Sequence, residues 1–326
     1  MEKPNKVEKF LSASRMKTLE TCSWIYWSKY HLNMPDDSNS GAKRGTVCHL
    51  ILECLLKKGR KKYYTKIMKN GSIDCYPSII RLVKKHSKKL SIDNDVDFQM
   101  IKDMIFVGIN NDFHGEGGKV GSPEVAFEII NENPKYRIKG FIDKHIIYSK
   151  ESKLKIVDYK TSKQKFKGEE LQSNVQAMMY TLASRTLWPE IKERSVEFLF
   201  LRFPKQPKQE LQFSDDQIKG FEKYLEHINK IIDTFDEKKA VANFAYDTDK
   251  NKWLCQAGKT WVCPLKKPFD YYVIKDKAGK VLKSSFRDDL KPEEGESSEK
   301  INYAGCPRFF NMATTQGKKS EDPFDF

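Results

Sequence analysis

The sequence predicts an α/β fold, and three observations in the central part of the chain support that prediction. Three short segments rich in β-branched and aromatic residues, separated by turn residues, predict consecutive strands at 124–130, 136–148 and 154–159, of which the first two form a hairpin through 131–134. A helical pattern over about 168–187 follows them, and residues 195–203 form a fourth β-branched and aromatic segment. Three strands, a helix and a further strand indicate a sheet with a helical crossover.

The composition is that of a globular chain with an excess of positive charge. Of its 326 residues, 39% are hydrophobic and 32% are charged, which argues against a disordered or membrane protein. The formal net charge is +14, with basic runs at 57–62 and 84–89. Each run by itself is typical of a solvated helix face, but the excess over the whole chain indicates a polyanionic partner.

Cysteine usage and the absence of apolar runs indicate a reducing cytoplasm. The residues after Met1 lead into no apolar segment of the kind that a signal peptide requires, and no run is long enough to span a bilayer. Seven cysteines, an odd number in a long chain, argue against a secreted disulfide framework.

The segments before the central strands are expected to be mainly helical. Residues 8–33 predict an entry strand or turn followed by a helix, and a second helix is expected around 44–53. Further helices are expected at 77–90 and 96–110. The Gly-rich stretch 115–121 matches no phosphate-binding fingerprint and is interpreted as a connection.

The segments after residue 203 change in character twice. A long amphipathic helix is predicted over 214–237, and residues 241–316 then combine tryptophans and cysteines with short strands or loops. The chain ends in an acidic and aromatic stretch, 321–326.

The third predicted strand carries a chemically distinctive end. Leu154 and Ile156 share a strand face with Asp158 and Lys160, so that face is apolar until it becomes acidic and then basic. Asp143 closes the neighbouring strand. Two carboxylates can therefore converge on one divalent cation, which prefers oxygen ligands, beside an ammonium group.

The order and spacing of these residues resemble the PD-(D/E)XK nuclease superfamily, and in particular its RecB-like branch, which includes CRISPR-adaptation and AddB-type nucleases. The resemblance is carried by the following residues: Glu124, Gly140 to Asp143, Asp158 to Lys160, Gln176 and Tyr180, together with the opening Leu11 to Met16 and the unit Gly45-Thr46 with His49. It implies a restriction-endonuclease-like core, with a central mixed β-sheet flanked by helices, a helical lobe and a Cys-bearing C-terminal segment.

The resemblance implies a metal site for Mg²⁺ or Mn²⁺. Asp143 and Asp158 are expected as direct ligands, with the backbone carbonyl of Tyr159 as a possible further one. Glu124 is expected to complete the carboxylate set, directly or through water, with Glu128 as the alternative. His49 is expected as an additional ligand.

The remaining motif residues are expected to act beside the metal. Lys160 would orient or deprotonate the attacking water and stabilise negative charge. Gln176 and Tyr180, four residues apart on a helix, would contact the substrate strand or support Lys160.

Four cysteines resemble the iron–sulfur staple of the RecB-like branch. They are Cys22, Cys255, Cys263 and Cys306. Four thiolates suit a [4Fe–4S] cluster and nearly as well a structural zinc. The family clusters its three late cysteines tightly, whereas here Cys306 is far from Cys263 in sequence, and ordinary buried cysteines are the alternative.

The expected organisation is a nuclease domain over 1–240, with a helical insertion at about 60–121 and a catalytic core at 122–203. The Cys-bearing segment 241–316 is expected to pack on the N-terminal helix, followed by the tail 317–326.

The resemblance implies a divalent-metal-dependent deoxyribonuclease, an exonuclease or end-processing enzyme in recombination, repair or replication, acting on single-stranded DNA or DNA ends. The alternatives are an endonuclease of the same fold and a non-catalytic DNA-binding subunit of a helicase–nuclease complex. The chain contains no G-x-x-x-x-G-K-[ST] loop, so unwinding is expected from a helicase or another replication or recombination partner, for which the tail is the candidate binding segment. The expected setting is a bacterial or virus-infected cytoplasm, without a membrane.

Overall fold

A mixed β-sheet with flanking helices lies at the centre of the chain. The computed structural model describes residues 9–36, 39–255 and 263–309. The chain divides into two compact units: unit 1 comprises Met1–Ala13 and Ser38–Asn229, and unit 2 comprises Ser14–Asp37 and Lys230–Phe326.

The helices and strands follow in chain order. The helices are α1 (Ala13–Thr21), α2 (Ser23–Tyr30), α3 (Ser40–Leu56), α4 (Lys61–Asn70), α5 (Pro77–Lys89), α6 (Asp95–Ile109), α7 (Glu169–Gln172), α8 (Val175–Leu187), α9 (Asp215–Asp233) and α10 (Glu237–Ala240). The strands are β1 (Lys119–Val120), β2 (Val125–Glu132), β3 (Lys135–Ile142), β4 (Lys144–Tyr148), β5 (Lys153–Lys160), β6 (Glu193–Phe200), β7 (Lys208–Leu211), β8 (Phe269–Lys275), β9 (Val281–Ser285) and β10 (Ser297–Tyr303).

The central sheet of unit 1 has the strand order β1-β4-β5-β6-β7. β5 and β6 are parallel neighbours and the other pairs are antiparallel, so the sheet is mixed, as predicted. β5 is apolar on both faces, with Leu154 and Ile156 buried on one and Val157 and Tyr159 on the other. A central strand of this kind holds its last residues firmly, and these carry the motif.

The helices before the sheet pack around α3. The inward side of α3 is apolar and almost fully buried at Val47, Ile51 and Leu52, where it faces α5 and α6. The same side also carries a buried ion pair, in which the Arg44 guanidinium donates to the Asp97 carboxylate on α6. α3 is therefore fixed in position by apolar contact and by a charged hydrogen bond.

The predicted hairpin forms, but its second strand is interrupted. A single strand was expected over 136–148; the structure instead has β3 and β4 with a bend at Asp143 between them. β2 and β3 form a separate two-stranded sheet, which Leu11 extends through a parallel bridge to Ile138. Residues 143–145 are all polar, but no proline or turn dipeptide accompanies them, so the sequence carries no turn signal that would reveal the bend.

Two predicted helices are divided and two others are confirmed. The helix expected over 168–187 is split into α7 and α8, because the Asn174 side chain accepts the Ala177 N–H (3.0 Å) and caps a new helix. The helix expected within 8–33 is divided at Cys22, whose backbone is extended. The helices expected at 77–90 and 96–110 are α5 and α6.

Unit 2 contains a three-stranded antiparallel sheet, β10-β8-β9, together with α2. Trp24 on α2 donates its indole N–H to the Tyr303 hydroxyl (2.8 Å), which in turn donates to the Leu265 carbonyl (2.9 Å). Ser23 Oγ lies 2.8 Å from the carbonyl oxygens of Ala240 and Asn243. These bonds join the early and late parts of the sequence within the unit.

Two features of the sequence lie outside the described residues, namely Trp261 and the tail 317–326. Among the helices that the structure describes, none is long and apolar enough to cross a bilayer.

Replacing Arg44 by Met is expected to lower the free energy of unfolding by about 3–5 kcal/mol, because the Asp97 carboxylate then stays buried without its cation. The Arg44→Met/Asp97→Leu variant should lose less, since no charge is left behind. Urea unfolding followed by circular dichroism measures both, with exposed Arg81→Met as the matched control. A double variant as unstable as the single one would contradict this explanation.

Candidate active site

The motif residues meet at one edge of the central sheet. Asp158 and Lys160 lie at the C-terminal end of β5, and Asp143 lies at the bend between β3 and β4. His49 extends from α3 toward the same place. Three segments distant in sequence thus converge within unit 1.

The Asp143 carboxylate contacts both of the other segments. Its Oδ2 accepts the backbone N–H of Tyr159 (2.9 Å), and its Oδ1 lies 3.2 Å from Nδ1 of His49. The bend at Asp143 is what brings the carboxylate to β5. The interruption of the predicted strand is therefore part of the site.

His49 is oriented by a backbone carbonyl. Its Nε2 lies 2.9 Å from the Tyr159 carbonyl oxygen, which only accepts hydrogen bonds, so Nε2 carries a proton. Burial alone would lower the pKa of His49, but its hydrogen bond to Asp143 and the charges of Asp143 and Asp158 raise it to about 8. Nδ1 can donate to Asp143 when protonated, or present its lone pair to a cation beside Asp143 when neutral.

Asp158 is only 3% exposed and lies at the centre of a polar network. Its Oδ1 accepts from Gln176 Nε2 (2.8 Å) and from the Tyr180 hydroxyl (2.9 Å). Lys160 Nζ donates to Gln176 Oε1 (2.6 Å) and lies 2.7 Å from Asp158 Oδ2. At this distance the Lys160 ammonium and the Asp158 carboxylate form a buried charged pair. Gln176 thus bridges the catalytic candidates Asp158 and Lys160.

The electrostatics of this network disfavour additional negative charge. Burial, with the charge of Asp143, raises the pKa of the Asp158 carboxyl against the opposing effect of Lys160. Burial and the charges of Asp158 and Asp143 likewise raise the pKa of the Tyr180 hydroxyl, so it remains a hydrogen-bond donor at neutral pH. A cation beside the two carboxylates would offset their repulsion.

Glu124 lies beside Asp143 at the start of β2. Its backbone N–H donates to the Asp143 carbonyl (3.1 Å), and its φ of +50° places it in the left-handed region, which is strained for a residue with a side chain. Burial and the charges of Glu53 and Asp143 raise the pKa of its carboxyl. Glu124 and its alternative Glu128 are both exposed, and Glu128 lies opposite Lys139.

Glu53 was not among the predicted site residues. Its side chain is mostly buried, pairs with Lys57 (2.7 Å), and acts electrostatically on Glu124. The available signal was its spacing of four residues from His49, which places both on one face of α3.

Gly45 explains how α3 approaches the strand end closely. A Cβ at this position would lie 2.8 Å from Oγ1 of Thr161, the residue after β5, which is closer than real Cβ contacts. The glycine therefore lets α3 pack against the end of β5, so that His49 reaches the Tyr159 carbonyl.

The donor set fits a hard divalent cation held partly by water. Within the described ranges, no group of three or more His, Cys, Asp or Glu side chains forms a ready-made metal site. Mg²⁺, however, is usually held by one or two carboxylates, with waters and phosphates completing its shell. The buried carboxylate of Asp158 and the nearby carboxylate of Asp143, whose charge raises the pKa of Asp158, provide such ligands.

The four predicted ligand cysteines lie around one cavity in unit 2. Cys22, Cys255 and Cys306 are buried and Cys263 is half-buried, and all four are free thiols that line the cavity. Burial, with the charges of the neighbouring thiols, raises the pKa of Cys263 to about 11 and that of Cys306 to about 12. Thiolates here would therefore require a bound cation.

The mixed sheet contains a strand, β5, that ends in the buried Asp158 and in Lys160. Asp143 and His49 lie beside this strand end. This combination of fold and residues defines the restriction-endonuclease-like class of nucleases. The model of the PD-(D/E)XK nuclease superfamily matches residues 10–267, and the chain belongs to that superfamily. It is accordingly a phosphodiester hydrolase by family, and its substrates are nucleic acids.

One solved structure with a similar fold is that of a candidate exonuclease from Eubacterium rectale. The similarity covers 77% of this chain and 90% of that chain, with 11% sequence identity and a TM-score of 0.43. No curated protein matches the chain.

The Gly45→Ala variant is expected to reduce nuclease activity by about 10- to 100-fold, because the added Cβ would push His49 away from Asp143. Alanine strengthens a helix relative to glycine, so a loss of activity would not come from a weaker α3. The Gly45→Ala/Thr161→Ala variant, which removes Oγ1, should recover most of the activity. Gly220→Ala on α9, where the added Cβ meets no atom within 4 Å, is the matched control. Unchanged activity in Gly45→Ala would contradict the packing argument.

Proposed function

We propose that the protein is a divalent-metal-dependent deoxyribonuclease of RecB-like type whose active site comprises Glu124, Asp143, Asp158 and Lys160. The observation that carries the proposal is the buried Asp158 carboxylate, with the Lys160 ammonium 2.7 Å from Oδ2 and the Asp143 carboxylate near enough to raise its pKa. A surface ion pair would require neither this burial nor these partners.

Asp143 and Asp158 would hold Mg²⁺ or Mn²⁺, with Glu124 contributing directly or through water and His49 contributing through Nδ1. When bound, such an ion neutralises charge on the phosphoryl oxygens and lowers the pKa of an attacking water. The Tyr159 carbonyl accepts from His49 and retains a second lone pair for a cation.

Lys160 is the residue proposed to act on the attacking water. The amide oxygen of Gln176 and the carboxylate of Asp158 fix its ammonium at the end of β5. From that position it can orient the water and stabilise negative charge that develops on the phosphoryl group. Gln176 and Tyr180 hold Asp158 and Lys160 through hydrogen bonds. Because Tyr180 is buried, a contact with the substrate strand is proposed for Gln176 alone.

The proposed activity is that of an exonuclease or end-processing enzyme on single-stranded DNA or DNA ends. The proposed process is recombination, repair or replication. An endonuclease of the same fold would use the same residues. A helicase or another replication partner, bound through the tail 317–326, is part of this proposal. A non-catalytic DNA-binding subunit is disfavoured, because Asp143, Asp158 and Lys160 are all present, Lys160 pairs with Asp158, and Asp143 accepts the N–H of the intervening Tyr159.

Digestion of end-labelled linear DNA and of covalently closed circular DNA, each single- and double-stranded, tests the proposal. With Mg²⁺ or Mn²⁺, the wild type is expected to degrade linear DNA only, and Lys160→Ala to lose at least about 100-fold in rate. Cleavage of closed circles would identify an endonuclease.

The matched control is Lys150→Ala, which removes an exposed lysine at the turn that precedes β5, far along the strand from Lys160. Equal activity of Lys160→Ala and wild type would refute the assignment of Lys160. DNA binding by the wild type with no cleavage of any substrate would favour the non-catalytic subunit.

We also propose that Cys22, Cys255, Cys263 and Cys306 hold a [4Fe–4S] cluster, with a structural zinc ion as the alternative. The support is that four free thiols, brought together from both ends of the chain, line one cavity in unit 2. A cluster there would tie α2 to the late segments of the unit and would take no part in phosphodiester cleavage.

Anaerobic purification followed by iron, sulfide and zinc analysis distinguishes the possibilities. A cluster predicts about four iron and four sulfide per chain and a brown protein. Cys306→Ser should lose the metal and lower the melting temperature, whereas Cys75→Ser, at a half-buried thiol in unit 1, should retain both. About one zinc without sulfide would support the alternative, and a metal-free protein would refute both.

A further inference from the structure

Two segments emerge beside Lys160 at the same edge of the central sheet. β5 and β6 are parallel, with Lys160 opposite Phe200, so the residues that follow each strand leave the sheet together. Residues 160–168 and 200–208 contain basic residues and no acidic ones. Their basic residues are Lys160, Lys163, Lys165, Lys167, Arg202, Lys205 and Lys208. We name these two segments the basic edge.

The basic edge is held in place by an aromatic anchor. The Phe166 ring packs edge-on against Phe198 and Phe200, with centroid separations of 4.8 and 5.3 Å. The Gln209 side chain accepts the Phe166 N–H (3.1 Å) and donates to the Phe166 carbonyl (3.1 Å). The segment after Lys160 is therefore fixed to β6 and β7, and its lysines project from a fixed backbone.

One lysine of the basic edge joins the two segments, whereas three others are directed to solvent. Lys165 donates to the Gln206 carbonyl and lies over the Phe203 ring, 5.2 Å from its centroid. Lys163, Lys167 and Lys205 are exposed, and among the residues that the structure describes none of them forms an ion pair. Fixed cations without acidic partners repel one another and favour a polyanion.

The basic run at 84–89 has a different structural explanation. It lies in the last turns of α5, where positive side chains interact favourably with the helix dipole, and Lys84 lies over the Phe98 ring. Its charges are therefore accounted for within the fold.

The distance between Lys163 and Lys160 suits contacts with neighbouring phosphates of one nucleic-acid strand. Lys163 follows Lys160 by three residues, which span at most about 10 Å. Successive phosphates of one duplex strand are separated by about 3.4 Å along the helix axis, so Lys163 lies within a few nucleotides of a phosphate held at Lys160.

We propose that the basic edge binds the phosphodiester backbone of the substrate strand next to the scissile phosphate, through Lys163, Lys167 and Lys205 and without reading base sequence. The proposal rests on the proposed nuclease function only in taking a nucleic acid as the substrate. It assigns the contact to this edge rather than to the basic run at 84–89.

Fluorescence anisotropy with a labelled single-stranded oligonucleotide and its duplex tests the proposal, in Ca²⁺ and at 50–300 mM KCl. For the Lys163→Gln/Lys167→Gln/Lys205→Gln variant, Kd is expected to rise by about 10- to 100-fold on either probe. The slope of log K against log salt should become shallower by about 2 on single strands, since each lost phosphate contact contributes about 0.7. In Mg²⁺, KM should rise while kcat stays within about threefold.

The matched control is Lys85→Gln/Lys88→Gln/Lys89→Gln, which removes the same charge from exposed positions on α5. Its Kd and salt slope should stay within about twofold of the wild type. If both triple variants weaken DNA binding equally, overall charge rather than the basic edge determines the affinity, and the proposal is overturned. An unchanged salt slope in the first variant would also overturn it. If the wild type binds DNA but does not cleave it, the nuclease proposal fails, while the comparison of the two triple variants still decides this one.

Discussion

The Asp143 carboxylate is the group on which the geometry of the site depends. It joins the bend between β3 and β4 to the end of β5 through the Tyr159 N–H, and it joins both to α3 through His49. Removing this carboxylate would therefore release the bend from the end of β5, and it would leave His49 with the Tyr159 carbonyl as its partner on β5. A single short side chain can make both contacts only because the backbone bends at Asp143.

The close approach of α3 to the sheet depends on the small size of Gly45 rather than on an attraction between charged groups. Gly45 leaves space for Thr161, and the apolar side of α3 packs on the helical lobe, with Arg44 and Asp97 fixing its N-terminal turn. His49 is consequently held by a rigid helix and not by a loop. Orientation by packing suits the role proposed for His49, in which Nδ1 is presented to a cation.

The sequence predicted the site more completely than it predicted the fold around it. The residues of the β5 motif lie within a few positions of one another, so strand periodicity alone placed Asp158 and Lys160 on one face. The break after Gln172 also had a local signal, because Asn174 is a good N-cap residue. The bend at Asp143 had no such signal, since it is imposed by a hydrogen bond to Tyr159, sixteen residues away.

The hydrophobic periodicity of the sequence also did not predict that residues 14–37 and 230–326 belong to one unit. It depends on contacts such as that of Trp24 with Tyr303, which are separated by 279 positions. The resemblance to a family predicted a link between these parts through cysteines, but the hydrogen bonds that join them are not encoded in any local pattern.

The opposite charges of the candidate site and of its surroundings have a joint consequence for the proposed function. Asp143 and Asp158, with Glu124 nearby, make the site acidic, whereas the basic edge that begins at Lys160 would attract a polyanion. A phosphate drawn to the edge would be repelled from the site itself, because its negative charge would meet carboxylates there. A divalent cation between carboxylates and phosphate would remove that conflict, since both can be its ligands. Under the proposal, binding of the cation and binding of the nucleic acid would therefore favour each other, and the basic edge would act productively only with a metal at the acidic site.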